Sequence, residues 1–458
     1  MGPYRKSWMK PNRKLIVPIL AMLTLSLATS VRAQRSSGGH RNHRDALGPR
    51  FEATHDEPRH QARRGQDLVR RWNEIALNAN ALDHTPVAPG ENRVFAEQLG
   101  PNRTARAFAI VHIAIFDAVN AITGGYRGYT SLRPASGDTS MNAAVAQAAH
   151  DTLVALYPSQ RPSFDARLAE DLNRMRDGRE KRNGIDLGRE AAAAILALRA
   201  NDGSQHSEPR YGIDYIPSDA PGKWRQDPIS QIPLALGARW DEVRPFILRS
   251  ASQFRAPPPP ALDSFDYAAA FDEVKRLGGC GNDPVDCIGG FPTPTDRTAE
   301  QTEIGIYWGY DGTPGMGTPP RLYNQIAVEI ADHRRTNAVE LARLLALVNM
   351  AMADAGLVCW ETKYLYEYWR PVTAIREADT DGNLSTAGDI SWTPLGAPAS
   401  NFKPPTPDFT PPFPAYASGH ATFGAAMFEM LRNFYGTDRI PFTFVSDEFN
   451  GVTRDNDG

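Results

Sequence analysis

The sequence RTARAFAIVHIAIFDAVNAI at residues 103–122 decides the fold class, because its apolar residues recur every three or four positions. That spacing predicts a helix. The same pattern occurs at residues 67–82 and 141–157, and the Ala-rich residues 189–200 continue it without β-type alternation. Ser140 is a typical helix start. We therefore predict an all-α protein.

The pattern continues towards the end of the chain. Long helices are predicted over residues 321–332 and 338–369, and the sequence after the last Pro-rich connector predicts one more helix from about Ser418 to Tyr435. The sequence RAPPPP at residues 255–260 has polyproline composition, which is typical of a spacer.

A soft domain boundary is placed at this proline-rich sequence. It divides an N-terminal helical region, residues 65–255, from a C-terminal helical region, residues 256–458. The C-terminal region contains the residues on which the functional interpretation depends.

Composition excludes several classes of protein. The 458 residues carry 50 Lys and Arg against 53 Asp and Glu, a formal net charge of −3, and residues 65–458 alone carry −12. Such a body offers no basic field for nucleic acid. Three cysteines are too few for a disulfide-dense scaffold, a four-cysteine zinc site or an all-cysteine iron–sulfur cluster. Stability must therefore come from packing.

The chain starts with a basic and then apolar stretch. Five basic residues precede an apolar run of about 14 residues, and small side chains at Val31 and Ala33 precede a cleavage point. This is typical of a signal peptide over residues 1–33, since the run contains Pro18 and is shorter than a membrane span of roughly 20 residues. Residues 34–64 are predicted to be a disordered linker. We expect a secreted or periplasmic protein with no membrane contact after signal cleavage.

Cys280 and Cys287 lie seven positions apart in a Gly-rich loop. In an exported chain they can close a small disulfide, the alternative being two free thiols, and we expect the disulfide. Cys359 is expected to be a small buried hydrophobe. His112 and His150 lie in apolar helical faces and are expected to be core histidines rather than metal ligands.

Two cations lie in the sequence KYLYEYWRP at residues 363–371. Lys363 and Arg370 are seven positions apart on one predicted helix, and seven steps of 100° return to within about 20° of the same face. Pro371 is expected to end this helix directly after the arginine. Aromatic neighbours such as Trp360 make the helix too apolar for a solvated basic face, and paired cations in an apolar wall need an anion.

A second anion-binding pattern is the sequence PFPAYASGH at residues 412–420. Ser418 can cap the following helix, which leaves the N–H groups of Gly419 and His420 at the positive end of the helix dipole. Gly419 permits close backbone approach, and His420 can act as a neutral base. The alternative is an N-cap with an incidental histidine, but two anion-binding patterns within about 60 residues favour a site.

These residues resemble a known family. Lys363 and Arg370-Pro371, followed by Ser418-Gly419-His420, are similar to the first two of three motifs shared by vanadium-dependent haloperoxidases and type 2 phosphatidic acid phosphatases. The likeness to the haloperoxidases extends over about residues 305–454 and includes GTPPRLYNQI and PPFPAYASGHATFGAA. It implies helical bundles of the vanadium haloperoxidase type and vanadate as the cofactor.

The resemblance also implies residue roles. Lys363 and Arg370 bind vanadate oxygens, and Ser418 and the Gly419 N–H add hydrogen bonds. His420 is the acid–base group.

Three further residues have counterparts in the family. Trp360 and Phe413 resemble aromatic residues on the halide side of chloroperoxidases. Asp311 resembles an acid that orients the arginine of the third motif.

The family's third motif supplies that arginine and the histidine that bonds to vanadium. No histidine follows His420 in the 458 residues, and Arg454 lacks the Ser-Arg context of the motif. The expectation from sequence is a C-terminally incomplete chain with its last bundle incomplete, no direct metal ligand and little activity in these 458 residues.

The expected function is that of a vanadate-dependent haloperoxidase for chloride or bromide. Hydrogen peroxide and halide are the expected partners, Lys363 polarises the bound peroxide, and the product is hypohalous acid. One alternative is an acid phosphatase of the same superfamily, since a pocket for tetrahedral oxyanions also fits phosphoryl transfer. Another is a non-catalytic oxyanion-binding helical protein. Trp360, Phe413 and the missing transmembrane helices favour the haloperoxidase.

Overall fold

The computed structural model describes residues 68–282, 287, 292–309, 312–396 and 410–447. Within these residues the fold is all-α, with eleven α-helices, four short 3-10 helices and isolated β-bridges but no strand. The fold class predicted from the sequence is confirmed. The α-helices are α1 (Leu68–Asp83), α2 (Gly100–Thr123), α3 (Met141–Leu156), α4 (Arg161–Asn173), α5 (Arg179–Arg199), α6 (Phe265–Leu277), α7 (Ala299–Trp308), α8 (Pro319–His333), α9 (Ala338–Tyr366), α10 (Pro371–Arg376) and α11 (Gly419–Tyr435).

Some of the predicted features lie outside the described residues, namely the signal peptide, the linker at residues 34–64, Asp311 and Arg454. The proline-rich residues 255–260 are described and carry no helix. Buried residues from both sides of this segment belong to one hydrophobic core. The domain boundary stays a prediction.

Helices α2 and α9 form the centre of the core and pack against each other. The α2 residues from Ala107 to Val119 are all buried, because apolar residues surround this part of the helix on every side. Both helices are long and apolar enough to span a bilayer. However, 78% of the apolar window in α2 and 72% of that in α9 is buried inside the protein, as in core helices.

Helices α3 and α5 approach closely at two glycines of α5. A Cβ at Gly184 would lie 2.4 Å from the carbonyl oxygen of Ser140, and one at Gly188 would lie 2.6 Å from that of Ala144. No side chain fits at such distances, so the two backbones can meet only at glycine. Ser140 caps α3 as predicted, since its Oγ accepts a hydrogen bond from the Ala143 N–H at 3.3 Å.

The helix predicted over residues 338–369 ends three residues early. Helix α9 stops at Tyr366, and Glu367 takes the left-handed conformation with φ 51° and ψ 39°. The next residues leave the helix because their backbone groups pair with a distant segment. The Trp369 N–H donates to the Gly222 carbonyl at 2.9 Å, and the Trp224 N–H donates to the Glu367 carbonyl.

The prediction that Lys363 and Arg370 share one helix is therefore wrong. Arg370 is extended, with φ −83° and ψ 153°, because a residue before proline avoids the helical conformation. Pro371 begins α10 rather than ending α9, at a position where its missing N–H costs nothing. The two cations are brought together by tertiary structure, not by helical periodicity.

Cys280 and Cys287 form a disulfide, which confirms the predicted pairing. Cys359 is a free and buried thiol, also as predicted. Burial raises the pKa of the Cys359 thiol and keeps it protonated.

The two helical histidines are buried as expected. Burial lowers the pKa of His112 to about 3, so its ring is neutral. The two ring nitrogens of His150 each contact a carboxylate oxygen at 2.7 Å, one of Asp151 and one of Asp165. Among the described residues, no group of three or more His, Cys, Asp or Glu could hold a metal ion.

Candidate anion-binding site

A cavity of about 360 Å³ lies between the end of α9, the segment before α11 and the first turn of α11. Seven of the eight predicted site residues line it, although they come from separate parts of the sequence. These residues are Trp360, Lys363, Arg370, Phe413, Ser418, Gly419 and His420. Asp311, the eighth, lies outside the described residues.

Lys363 is a buried cation on the last turns of α9, with 1% of its surface exposed. Its Nζ donates to the carbonyl oxygens of Pro414 at 2.8 Å and Ala415 at 2.9 Å. These bonds compensate part of the cost of burying an ammonium group. They also bind the last turns of α9 to the segment that leads into α11.

Arg370 also donates a hydrogen bond to a backbone carbonyl of that segment, one residue before Pro414. Its Nε donates to the Phe413 carbonyl at 2.8 Å. The guanidinium is fixed by this bond and by its extended backbone ahead of Pro371. Both cations therefore reach the cavity while bound to consecutive carbonyls at residues 413–415.

The ring of Phe413 lies beneath both cations. Lys363 Nζ is 5.1 Å from its centroid and the guanidinium carbon of Arg370 is 4.8 Å from it. Trp360 packs against the same ring at 4.9 Å between centroids. Cation–π contacts of this kind stabilise positive charge. Phe413, which is predicted to lie on the halide side together with Trp360, thus also contacts both cations.

The first turn of α11 supplies hydrogen-bond donors. Ser418 Oγ accepts from the Ala421 N–H at 3.3 Å, which leaves the hydroxyl proton available to an anion. The Gly419 N–H is in the first turn, where no carbonyl of the helix reaches it. A Cβ at Gly419 would lie 3.2 Å from two ring carbons of Trp360, so glycine keeps the helix end close to the indole.

His420 lies in the same turn, with its ring edge-on to Trp308 at 6.2 Å between centroids. Its backbone carbonyl accepts a hydrogen bond from the Tyr323 hydroxyl at 2.7 Å. The hydrogen bond from Tyr323 therefore fixes the backbone of His420 without involving the imidazole ring. His420 is half-buried and lines the cavity.

Trp360 is held by one peptide group of a distant loop. The Leu236 carbonyl accepts from Trp360 Nε1 at 3.1 Å and from the Tyr364 hydroxyl at 3.0 Å. The N–H of the same peptide, on Gly237, donates to Glu208 at 2.6 Å. A carboxylate on one side of the peptide and two donors on the other fix the indole that forms the cavity wall.

We expect Gly237→Ala to destabilise the protein by roughly 1–3 kcal/mol more than the matched control Gly212→Ala. A Cβ at Gly237 would lie 2.3 Å from Cδ1 of Trp360, whereas one at Gly212 would meet nothing within 4 Å. The φ angles are alike, 79° and 75°, so backbone strain of about 1–2 kcal/mol is common to both variants. Urea unfolding measures the free energy of unfolding of both variants. Equal decreases in the two variants would show that the Trp360 indole moves aside without cost.

Sequence reasoning missed two aromatic residues of the cavity, Trp308 and Trp392. Trp308 is the last residue of α7. Trp392 lies in a loop, and its indole N–H donates to the Lys275 carbonyl at 3.1 Å. Neither is close in sequence to the anion motifs. An isolated tryptophan carries no spacing signal, so only the fold could place them.

The chemistry of the lining fits an oxyanion. Among the described lining residues, Lys363 and Arg370 carry fixed positive charge and no carboxylate is present. Ser418, Gly419 and His420 add a hydroxyl, a helix N-terminus and an imidazole. Charge-assisted donors of this kind suit phosphate-like anions, and a metal cation would find no carboxylate ligand. The residues present therefore fit the oxygens of vanadate.

Fold and cavity together define a helical protein with a candidate oxyanion-binding site. Residues 343–455 match a family model described as the second helical-bundle domain of VCPO. The chain is 33% identical over 455 residues to vanadium chloroperoxidase of Curvularia inaequalis, an alignment covering 84% of this chain and 70% of that protein. The chain belongs to the vanadium haloperoxidase family, which confirms the resemblance seen in the sequence.

Solved structures show the same fold. A bacterial vanadium-dependent iodoperoxidase superposes with a TM-score of 0.61 at 20% identity, covering 84% of this chain and 91% of that chain. A holo-type bacterial vanadium-dependent chloroperoxidase superposes with a TM-score of 0.53 at 15% identity, covering 84% and 87%. At these identities the likeness describes the fold alone.

Proposed function

We propose that the protein is a vanadate-dependent haloperoxidase that oxidises halide with hydrogen peroxide to hypohalous acid. The observation that carries the proposal is the cavity itself, which is lined by two cations and a helix N-terminus and has no carboxylate in its described lining. Family membership supplies the reaction class. Overall, one peroxide, one halide and one proton give one hypohalous acid and one water.

In this proposal Lys363, Arg370 and Ser418 hold the oxygens of vanadate, and the Gly419 N–H adds a backbone donor. When bound, vanadate would supply a Lewis acid for peroxide, and the vanadium would keep its oxidation state. All of these groups are hydrogen-bond donors or cations, so they would also stabilise negative charge on the oxygens that they hold.

His420 holds the proton that hydrogen peroxide gives up and returns it to the water that leaves. Its position in the first turn of α11, beside Lys363 and Arg370 in one cavity, supports that role. Trp360 and Phe413 form the apolar side of the cavity, where a halide loses part of its hydration and becomes more reactive.

Export is part of the proposal. The basic and apolar start of the chain is typical of a signal peptide, and the Cys280–Cys287 disulfide supports an oxidising compartment. Hypohalous acid oxidises thiols, so its formation outside the cytoplasm also protects the cell.

A halogenation assay tests the function. Protein expressed from its complete natural reading frame and freed of bound oxyanion is mixed with peroxide, monochlorodimedone and chloride, bromide or iodide. We expect turnover only when vanadate is added, and we expect phosphate to inhibit by competition for the same donors. Hydrolysis of a phosphate monoester without any halogenation would instead identify a phosphatase. Anion binding without either reaction would identify a non-catalytic binder.

A further inference from the structure

We propose that the proline-rich residues 256–260 are a strut that holds two elements of the anion site at a fixed separation. One element is the end of α9 with the residues that follow it, and the other is the segment that leads into α11. The strut acts through the hydroxyls of Tyr366, Tyr368 and Tyr416. The positioning role stands on contacts outside the cavity. Its consequence for vanadate affinity rests on the proposed function.

The strut is suited to this role by composition. Four consecutive prolines have fixed φ angles and no N–H groups, so the segment is stiff and presents its carbonyl oxygens as acceptors. In polyproline geometry each residue advances about 3.1 Å, which places the first and last carbonyls of the segment roughly 12 Å apart. A segment of this kind loses little entropy when it is held.

Three phenols hold the strut. The Tyr366 hydroxyl donates to the Ala256 carbonyl at 3.1 Å, and the Tyr416 hydroxyl donates to the Pro257 carbonyl at 2.8 Å. The Tyr368 hydroxyl donates to the Pro260 carbonyl at 3.3 Å. The donors thus contact both ends of the segment.

The phenols come from the two elements of the anion site. Tyr366 ends α9 three residues after Lys363, Tyr368 comes two residues before Arg370, and Tyr416 comes two residues before Ser418. The ring of Tyr416 contacts both of the others, at 6.0 Å from Tyr366 and 6.5 Å from Tyr368 between centroids. The three rings therefore form one surface against the strut.

The start of the strut is bound to α9. Arg255 forms an ion pair with Glu361, and the Ala256 N–H donates to Thr362 Oγ1 at 3.4 Å. A spacer between independent domains needs no such contacts with the helix that carries the site. The segment is not part of the cavity lining, so it contacts α9 away from the anion site.

The strut complements the contacts inside the cavity. There, Lys363 and Arg370 hold the carbonyls of residues 413–415, and an incoming oxyanion competes for the same N–H donors. When the cations give part of their hydrogen bonding to the anion, the segment before α11 loses part of its support, although the Ala415 N–H still donates to the Tyr368 carbonyl at 2.9 Å. The hydrogen bonds from the three tyrosine hydroxyls to the strut do not involve the cations, so they keep Ser418 and Gly419 in place.

The test is a triple variant, Tyr366→Phe, Tyr368→Phe and Tyr416→Phe, which removes three hydroxyls and keeps the rings. A matched triple control is Tyr126→Phe, Tyr129→Phe and Tyr435→Phe. Those hydroxyls bond to Glu340, Phe246 and Thr336, and none of the three residues lines the cavity.

Hydrogen exchange and anion titration are measured on the full natural protein. In the strut variant we expect amide exchange of residues 364–371 and 412–421 to speed up at least tenfold, and the Kd for vanadate and for phosphate to rise roughly tenfold. The control variant should change neither. Unchanged exchange in these segments, or faster exchange with an unchanged Kd, would overturn the positioning role. If the parent binds neither anion, the proposed function fails, and exchange alone decides whether the strut holds the two elements.

Discussion

Replacing His420 by alanine is expected to lower kcat for halide oxidation by about 10²–10⁴-fold, the usual loss for a general acid–base group. Vanadate affinity should stay within a few fold of the parent. The reason is structural, since the first turn of α11 is held by the Ser418 cap and by the Tyr323 hydroxyl on the His420 carbonyl, and neither bond uses the imidazole.

Steady-state halogenation and a vanadate titration measure the two quantities separately. The matched control is His333→Ala, at the exposed end of α8, which should leave both unchanged. Parental turnover in the His420→Ala variant would show that the proton is held by another group. A loss confined to affinity would assign His420 to binding instead of proton transfer.

Replacing Lys363 by methionine is expected to weaken vanadate binding by about 10–150-fold. This loss corresponds to one charge-assisted hydrogen bond of roughly 1.5–3 kcal/mol. Methionine keeps the volume of the buried side chain, whereas Lys363→Ala would also leave a cavity in the core. The carbonyls of Pro414 and Ala415 lose their donor, so stability should fall by about 1–3 kcal/mol as well.

Lys275→Met is the matched control for this experiment. Lys275 Nζ also donates to a backbone carbonyl, that of Ala387 at 2.7 Å, and lies over the Phe271 ring at 5.9 Å, but it does not line the anion cavity. The Lys275→Met variant should be somewhat less stable than the parent and should bind vanadate equally well. Superimposable titrations of parent and Lys363→Met would place the anion site elsewhere.

Much of the fold follows from local sequence. Helices α2, α3 and α11 have strong apolar periodicity or a clear cap, and both signals act over a few residues. The end of α9 could not be predicted, because it depends on pairing with residues 222–224, more than a hundred positions away. Tertiary hydrogen bonds there outweigh a local helical preference.

The same limit applies to the site. The convergence of Lys363 and Arg370 was predicted, but from a shared helix that does not exist. What joins them is the row of carbonyls at residues 413–415, and sequence patterns carry no signal for side-chain bonds to a backbone. Sequence patterns likewise carry no signal for the hydrogen bonds of residues 256–260, because their tyrosine partners lie over a hundred residues away.

Anomalous diffraction from crystals of the natural protein grown with vanadate tests the central claim most directly. The account predicts one vanadium peak in the cavity, with vanadate oxygens within about 2.7–3.2 Å of Lys363 Nζ, the Arg370 guanidinium and Ser418 Oγ. A peak held by other residues, or none at saturating vanadate, would contradict it.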